Sequence, residues 1–211
     1  MSTTERFGFT HYFQAPRVSG APVFMVLHGL GGTEHDFIPL VAETNMDAGI
    51  ISLRGGASCG GKTCFFTSNK DGTYDPEYLQ EHAKTMVQFV NRAAEAYRFD
   101  RSQVIWLGYG NGADSIANTM FTYPTVVNRA ILLRPSVTRI PEKLPVFADV
   151  SVLIAAGRQD EIIPIEDTEK LIRAFQHSGA VVELFLHDAT HLVTPADALH
   201  IRQWYTRHAE W

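Results

Sequence analysis

The sequence predicts an α/β fold built on a mostly parallel, doubly wound sheet, on three observations. Short apolar runs of strand character alternate with stretches of helical spacing along nearly the whole chain. Those runs are almost continuously apolar, as strands covered on both faces require. Three glycine-bearing turns stand directly after three of the runs, at the strand ends where such sheets bind ligands. Size and composition agree. With 211 residues, 45% hydrophobic and 19% charged, the chain can bury roughly 70% of the surface it exposes when unfolded.

The strand runs are Val23–Leu27, Gly49–Leu53, Val104–Leu107, Ala130–Leu133, Val152–Ala156 and Val181–Leu186. Between Pro76 and Arg98, apolar residues from Leu79 to Tyr97 recur every three or four positions, with Asp75 as N-cap and Pro76 at the first helical position. A second helical pattern follows the Val104–Leu107 run over Ala113–Phe121. A third runs from about Pro164 to His177 and stops at Gly179. The last opens at Thr194-Pro195, with Asp197 placed to complete a cap, and is expected to bury Leu199, Trp204 and Tyr205. No repeat, low-complexity tract or linker interrupts the series, so residues 1–211 are expected to form a single domain. The least regular stretches, Arg54–Thr73 and Thr138–Val150, read as loops at the carboxyl edge of the sheet.

Charge and composition exclude several classes. The net charge is −5, from 18 Lys+Arg against 23 Asp+Glu, with no basic block for a phosphate backbone to meet. Nucleic acid is therefore not an expected partner. No apolar run approaches the roughly 20 residues that span a bilayer, and Met1–Arg6 has no signal-like apolar stretch. A cytoplasmic location is expected, with Cys59 and Cys64 as ordinary thiols in a reducing compartment and a redox pair or loop disulfide as the alternative. Neither a metal nor an organic cofactor is implied.

The chemistry gathers at the three turns. After the first strand run comes His28-Gly29-Leu30-Gly31-Gly32, whose glycines can turn backbone N–H groups toward a ligand. It lacks the further glycine of a dinucleotide loop. Gly56 to Thr63 formally spells a P-loop, but no helical pattern follows it, so it is read as coincidence. The second turn, Gly108-Tyr109-Gly110-Asn111-Gly112, joins strand to helix in the context of a nucleophile elbow. Its centre, where that motif carries serine, is Gly110. The third, Gly157-Arg158-Gln159-Asp160, leaves an aspartate at a strand's carboxyl end, and His191 follows the last strand. Elbow, Asp, His is the chain order of the α/β-hydrolase triad.

With these motifs the chain resembles the small esterase branch of the α/β-hydrolases, the phospholipase/carboxylesterase and acyl-protein thioesterase family. Within it, the bacterial hydroquinone-resistance-type carboxylesterases are most similar. The resemblance rests on Leu27–Glu34 with Asp36-Phe37, Leu53-Arg54-Gly55, Gly108–Ala113, Leu132–Pro135, Gly157–Asp160 and His191-Leu192. It implies an α/β-hydrolase fold without a cap domain. It makes Asp160 and His191 the triad acid and base, and the amides of Leu30 and Asn111 the oxyanion hole. It puts Gly110 at the position of the nucleophilic serine. Small ester or thioester ligands are the implied partners, and a homodimer is compatible with the family. Phe37, Phe65 and Phe66 lie near the motif loops as candidate walls of the substrate pocket. Arg54 and Arg134 read either as loop anchors or as anion contacts, and His28 as structural.

Gly110 departs from the pattern, because without Oγ no acyl-enzyme forms. Ser115, Thr190, Cys59 and Cys64 are poorly placed substitutes. Ser115 lies a helical turn beyond the elbow, Thr190 adjoins His191, and neither cysteine follows a strand. Three readings follow. The chain is a family esterase whose serine was replaced, by design or by recent loss. Or it is a pseudoenzyme that binds a small ligand or a protein through the old cleft. Or the Asp160–His191 pair activates water or moves protons without a covalent intermediate.

Overall fold

The computed structural model describes residues 3–208; Met1 and Ser2, part of the N-terminal segment read above, lie outside them. Among the described residues, ten strands and five α-helices follow one another. The central sheet takes β3 (Val23–Leu27), β4 (Gly49–Leu53), β7 (Val104–Tyr109), β8 (Arg129–Leu133), β9 (Ser151–Gly157) and β10 (Val181–His187), all parallel. Two strands that the periodicity did not single out, β1 (Thr3–Arg6) and β2 (Phe9–Gln14), extend it by antiparallel pairing. The order is β1-β2-β4-β3-β7-β8-β9-β10. The remaining strands, β5 (Ala57–Cys59) and β6 (Lys62–Cys64), form a separate hairpin inside the loop after β4. Thr63 of the formal P-loop match therefore lies in a strand, and no helix follows it.

Alternation along the strands divides the core into two layers. In β3, Val23, Met25 and Leu27 face one layer while Phe24 and Val26 face the other, and all five are buried. The first layer is closed by α2 (Pro76–Tyr97), α3 (Asn111–Thr122) and α4 (Ile165–His177). The second is closed by α1 (Ile38–Thr44) and α5 (Pro195–His208). Asp75 caps α2 as expected, accepting from the Glu77 and Tyr78 amides. In α5 the inward stripe is Asp197, Ile201 and Trp204. Leu199 falls off that stripe and is 59% exposed, so the expectation of its burial fails on helical phase.

The cysteines also depart from expectation. Cys59 and Cys64 form a disulfide that closes the β5–β6 hairpin, so they are not the free thiols that a reducing compartment implied. The hairpin needs this staple, because three residues per strand bury little side-chain surface of their own. Among the described residues no helix is long and apolar enough to cross a membrane.

Strand and helix meet most closely at the β7–α3 corner. A Cβ on Gly112 would lie 2.4 Å from the Leu27 carbonyl oxygen, and one on Gly108 would lie 2.6 Å from the Ala113 nitrogen. Backbone cannot yield at such a corner as a flexible side chain can. Gly112→Ala is expected to lower stability by about 3 kcal/mol. Gly56→Ala, where the added atom meets nothing within 4 Å, is expected to change it by less than about 1 kcal/mol. Urea midpoints of the two variants measure the contrast.

Candidate active site

β7 runs straight into α3 through Gly110, which sits at φ +51° and ψ −121° as the residue preceding the helix. An L-residue is strained in that region, whereas glycine enters it at little cost. The turn is fixed from both sides: the Gly110 amide donates to the Leu133 carbonyl, and the Asp114 amide donates to the Gly110 carbonyl. A Cβ built on Gly110 would find His191 Nε2 at 3.7 Å. The strand–helix elbow is thus formed around a glycine, with His191 facing it.

His191 and Asp160 come together from separate loops. Asp160 ends the turn after β9 and His191 ends the loop after β10, with His191 Nδ1 2.9 Å from Asp160 Oδ2. The other carboxylate oxygen accepts from the amides of Ile162 and Ile163 at 2.9 and 3.0 Å. Burial alone would raise the Asp160 pKa. The two amides and the His191 contact outweigh it and hold the carboxyl below its ordinary value. An ionised Asp160 accepts a hydrogen bond from Nδ1–H, which fixes the tautomer and leaves the Nε2 lone pair directed at position 110.

The Gly29–Gly32 turn is held by the disulfide hairpin. Gly31 donates to the Thr63 carbonyl at 2.8 Å, and Thr63 Oγ1 donates to the Gly32 carbonyl at 2.7 Å. Asn111 ties the elbow to the same segment, its Oδ1 accepting from the Phe65 amide and its Nδ2 donating to the Phe66 carbonyl. Among the described residues, the Leu30 and Asn111 amides make no hydrogen bond. Both residues line one cleft with Gly110 and His191.

That cleft has a volume of about 490 Å³. Phe66 lines it, but Phe37 and Phe65 do not. Phe37 packs on Tyr109 at 5.5 Å between ring centroids, and Phe65 lies buried against His28 at 4.9 Å. Cys59, Lys62, Ser68, Tyr74, Ile162 and Ile163, which no motif marked as pocket residues, also line it, as does Tyr109 of the elbow. Asp114, in the first turn of α3 and one turn beyond Gly110, lines it as well.

His28 is structural, as expected. The Gly55 amide donates to its Nε2, so Nδ1 carries the proton and donates to the Gly29 carbonyl at 2.6 Å. Ser115 is buried against His82 at 2.7 Å and does not line the cleft. Both arginines are anchors. Arg54 holds the fully buried Glu34 with two bonds of 2.6 and 2.8 Å, fixing the loop after β3 to the end of β4.

Arg134 is fully buried. It meets Asp197 with two bonds of 2.8 Å and also donates to the carbonyls of Thr190 and Leu192, the neighbours of His191 on either side. Asp197 in turn accepts from the Thr194 amide and hydroxyl, the cap that the sequence announced. The histidine loop thus hangs on a buried ion pair that spacing alone did not reveal.

An Asp–His pair and two free amides around a strand–helix elbow, at the carboxyl edge of a mixed eight-stranded sheet, define an α/β-hydrolase architecture. The chain belongs to the dienelactone hydrolase family, whose model matches residues 9–197. Among its relatives is MhqD of Bacillus subtilis (strain 168), a hydrolase by name, 35% identical over 87% of this chain and 92% of that one. The Bacillus cereus carboxylesterase superposes with a TM-score of 0.91 at 32% identity, covering 95% of this chain and 94% of that chain. A Mesorhizobium loti carboxylesterase shares the fold at 23% identity, with a TM-score of 0.89 over 97% and 98% of the two chains. The hydrolase lineage anticipated from the motifs is thereby found.

Two predictions follow from the buried polar groups. Replacing Arg134 with Met leaves Asp197 buried without its cation and is expected to cost about 3–5 kcal/mol in urea denaturation. The second concerns pH. Burial pushes the Asp114 carboxyl up to about 7, against hydrogen bonds from Ser136 that favour the anion. Between about pH 4 and 7 the folded chain keeps a proton that the unfolded chain releases, so this group makes stability fall as pH rises. His82, pushed down to about 4 by burial, acts in the opposite sense below about 6.5. Asp114→Asn should therefore gain stability relative to the unmodified chain at about pH 8, compared with the same difference at about pH 4.

Proposed function

We propose that the chain is a carboxylic-ester hydrolase site of the carboxylesterase/thioesterase kind, shaped for small acyl or aryl esters, with Gly110 standing where the nucleophilic serine belongs. The reading takes residues 1–211 as one domain. The observation that carries it is the line from Asp160 through His191 to position 110: 2.9 Å at Nδ1, then 3.7 Å from Nε2 to the place a Cβ would occupy. A serine there would bring Oγ to an imidazole already oriented by its acid. His191 would take the Oγ proton as the hydroxyl attacks the ester carbonyl, and the Leu30 and Asn111 amides would receive the oxyanion. His191 would then return the proton to the leaving alcohol or thiol.

With glycine the first bond cannot form, so the chain as written holds its ligand without covalent turnover. The intact Asp160–His191 pair favours one further reading. His191 Nε2 can accept a proton from water beside Gly110, and the resulting hydroxide can attack the same carbonyl directly. A serine-free route of this kind forms no acyl-enzyme and gives no burst.

Gly110→Ser is expected to raise hydrolysis of a short-chain aryl ester by several orders of magnitude. Its cost in stability is about 1–3 kcal/mol, because a side chain enters a strained backbone region. Steady-state assays beside Gly110→Ser/His191→Ala check the first effect, and urea denaturation checks the second. Turnover by the unmodified chain that His191→Ala abolishes would establish the water route. A folded but inactive Gly110→Ser chain would overturn the hydrolase reading in favour of a binding role.

A further inference from the structure

The cleft contains one buried acid that the hydrolytic chemistry does not use. Asp114 is 6% exposed, lines the cleft, and stands one helical turn from Gly110, to whose carbonyl its amide donates at 2.9 Å. Its side chain therefore lies about 5–6 Å along the helix from the elbow. Ser136 fixes its orientation, with the amide donating to Oδ1 at 2.6 Å and the hydroxyl to Oδ2 at 2.8 Å. A carboxylate has about four acceptor positions, and Ser136 fills two of them.

Anchoring Ser136 does not by itself require a carboxylate. An asparagine could accept from the amide and donate to the hydroxyl at the same places, without the cost of burying an acid. What a carboxylate adds is acceptor capacity on both oxygens. Beside it, Tyr74 and Ser68 line the same cleft, and among the described residues neither hydroxyl makes a hydrogen bond. Leu30, Phe66, Tyr109, Ile162 and Ile163 give the cleft an apolar and aromatic surface, alongside the polar Lys62, Asn111 and His191. The cleft thus offers an apolar slot beside a carboxylate that stands roughly one helical turn from position 110.

We propose that Asp114 determines specificity in this cleft by accepting a hydrogen bond from a ligand hydroxyl, so that hydroxylated aryl acids and their esters are taken ahead of the unsubstituted ones. The proposal rests on the reading of the cleft as an ester site and names its substrate class. The carboxylate of such an acid stands for the ester carbonyl at the Leu30 and Asn111 amides, the ring fills the apolar slot, and the hydroxyl reaches Asp114.

The test titrates the unmodified chain at about pH 8, where Asp114 is predominantly ionised, with phenylacetate and its three ring-hydroxylated isomers by calorimetry. At least one isomer is expected to bind about tenfold more tightly than phenylacetate, the scale of one hydrogen bond to a buried charge. Asp114→Asn should collapse that difference to within about twofold. Equal affinities across the four ligands in the unmodified chain overturn the proposal, whether or not the variant folds. The same acids as aryl esters, offered to Gly110→Ser, separate this failure from that of the hydrolase reading. Hydrolysis without preference for the hydroxylated ester overturns the role of Asp114 alone. Preferential binding with no hydrolysis overturns the hydrolase reading and leaves Asp114 standing.

Discussion

The site depends on how closely the end of β7 and the start of α3 approach β3. Gly112 stands against the carbonyls of Leu27 and His28, where no Cβ fits. That contact sets the tilt of α3, and with it the direction in which position 110 faces and where the Asn111 amide lies. It is a constraint of excluded volume, and glycine alone satisfies it. The turn that carries Leu30 begins immediately after Leu27, so the same contact sets the Leu30 and Asn111 segments side by side.

Around this corner, polar pairs rather than apolar packing position the loops. Loops cannot bury enough side chain to fix themselves, so their carbonyls and amides must be met individually. Arg134 gathers the Thr190 and Leu192 carbonyls, Arg54 holds Glu34, and His28 bridges Gly29 to Gly55. The β5–β6 hairpin adds a covalent element, since the Cys59–Cys64 disulfide shapes the segment that grips Gly31 and Gly32. A fully buried ion pair such as Arg134–Asp197 contributes little net stability over an apolar pair of the same volume. Its effect here is geometric, because it fixes the loop on which His191 is carried.

Gly110 answers a backbone requirement: the elbow turns at positive φ, which glycine enters at less cost than a residue with a side chain. The pairing of His191 with Asp160 does not depend on the residue at 110, since its hydrogen bonds run to the β9 loop. The two side chains can therefore stay in register whatever residue stands there.

The α/β class, six parallel strands, four helices and the order elbow, Asp160, His191 were legible in the sequence, because they rest on periodicity and on glycines at fixed offsets. Those signals are local: a buried strand must be apolar and a sharp corner must be glycine, whatever surrounds them. The antiparallel strands β1 and β2 at one end of the sheet escaped because β1 is wholly exposed and β2 only half buried, and such strands carry a weaker apolar pattern. The short α1 has only seven residues in which to declare a period. Leu199 was misplaced because α5 is phased by Asp197, which turns inward to meet Arg134 and carries Ile201 and Trp204 with it. The disulfide, the Arg134 clamp, the exclusion of Phe37 and Phe65 from the cleft and the entry of Asp114 into it were decided only by the tertiary structure. Each depends on the distance between segments remote in sequence or on the direction of one side chain, and neither composition nor spacing encodes those quantities.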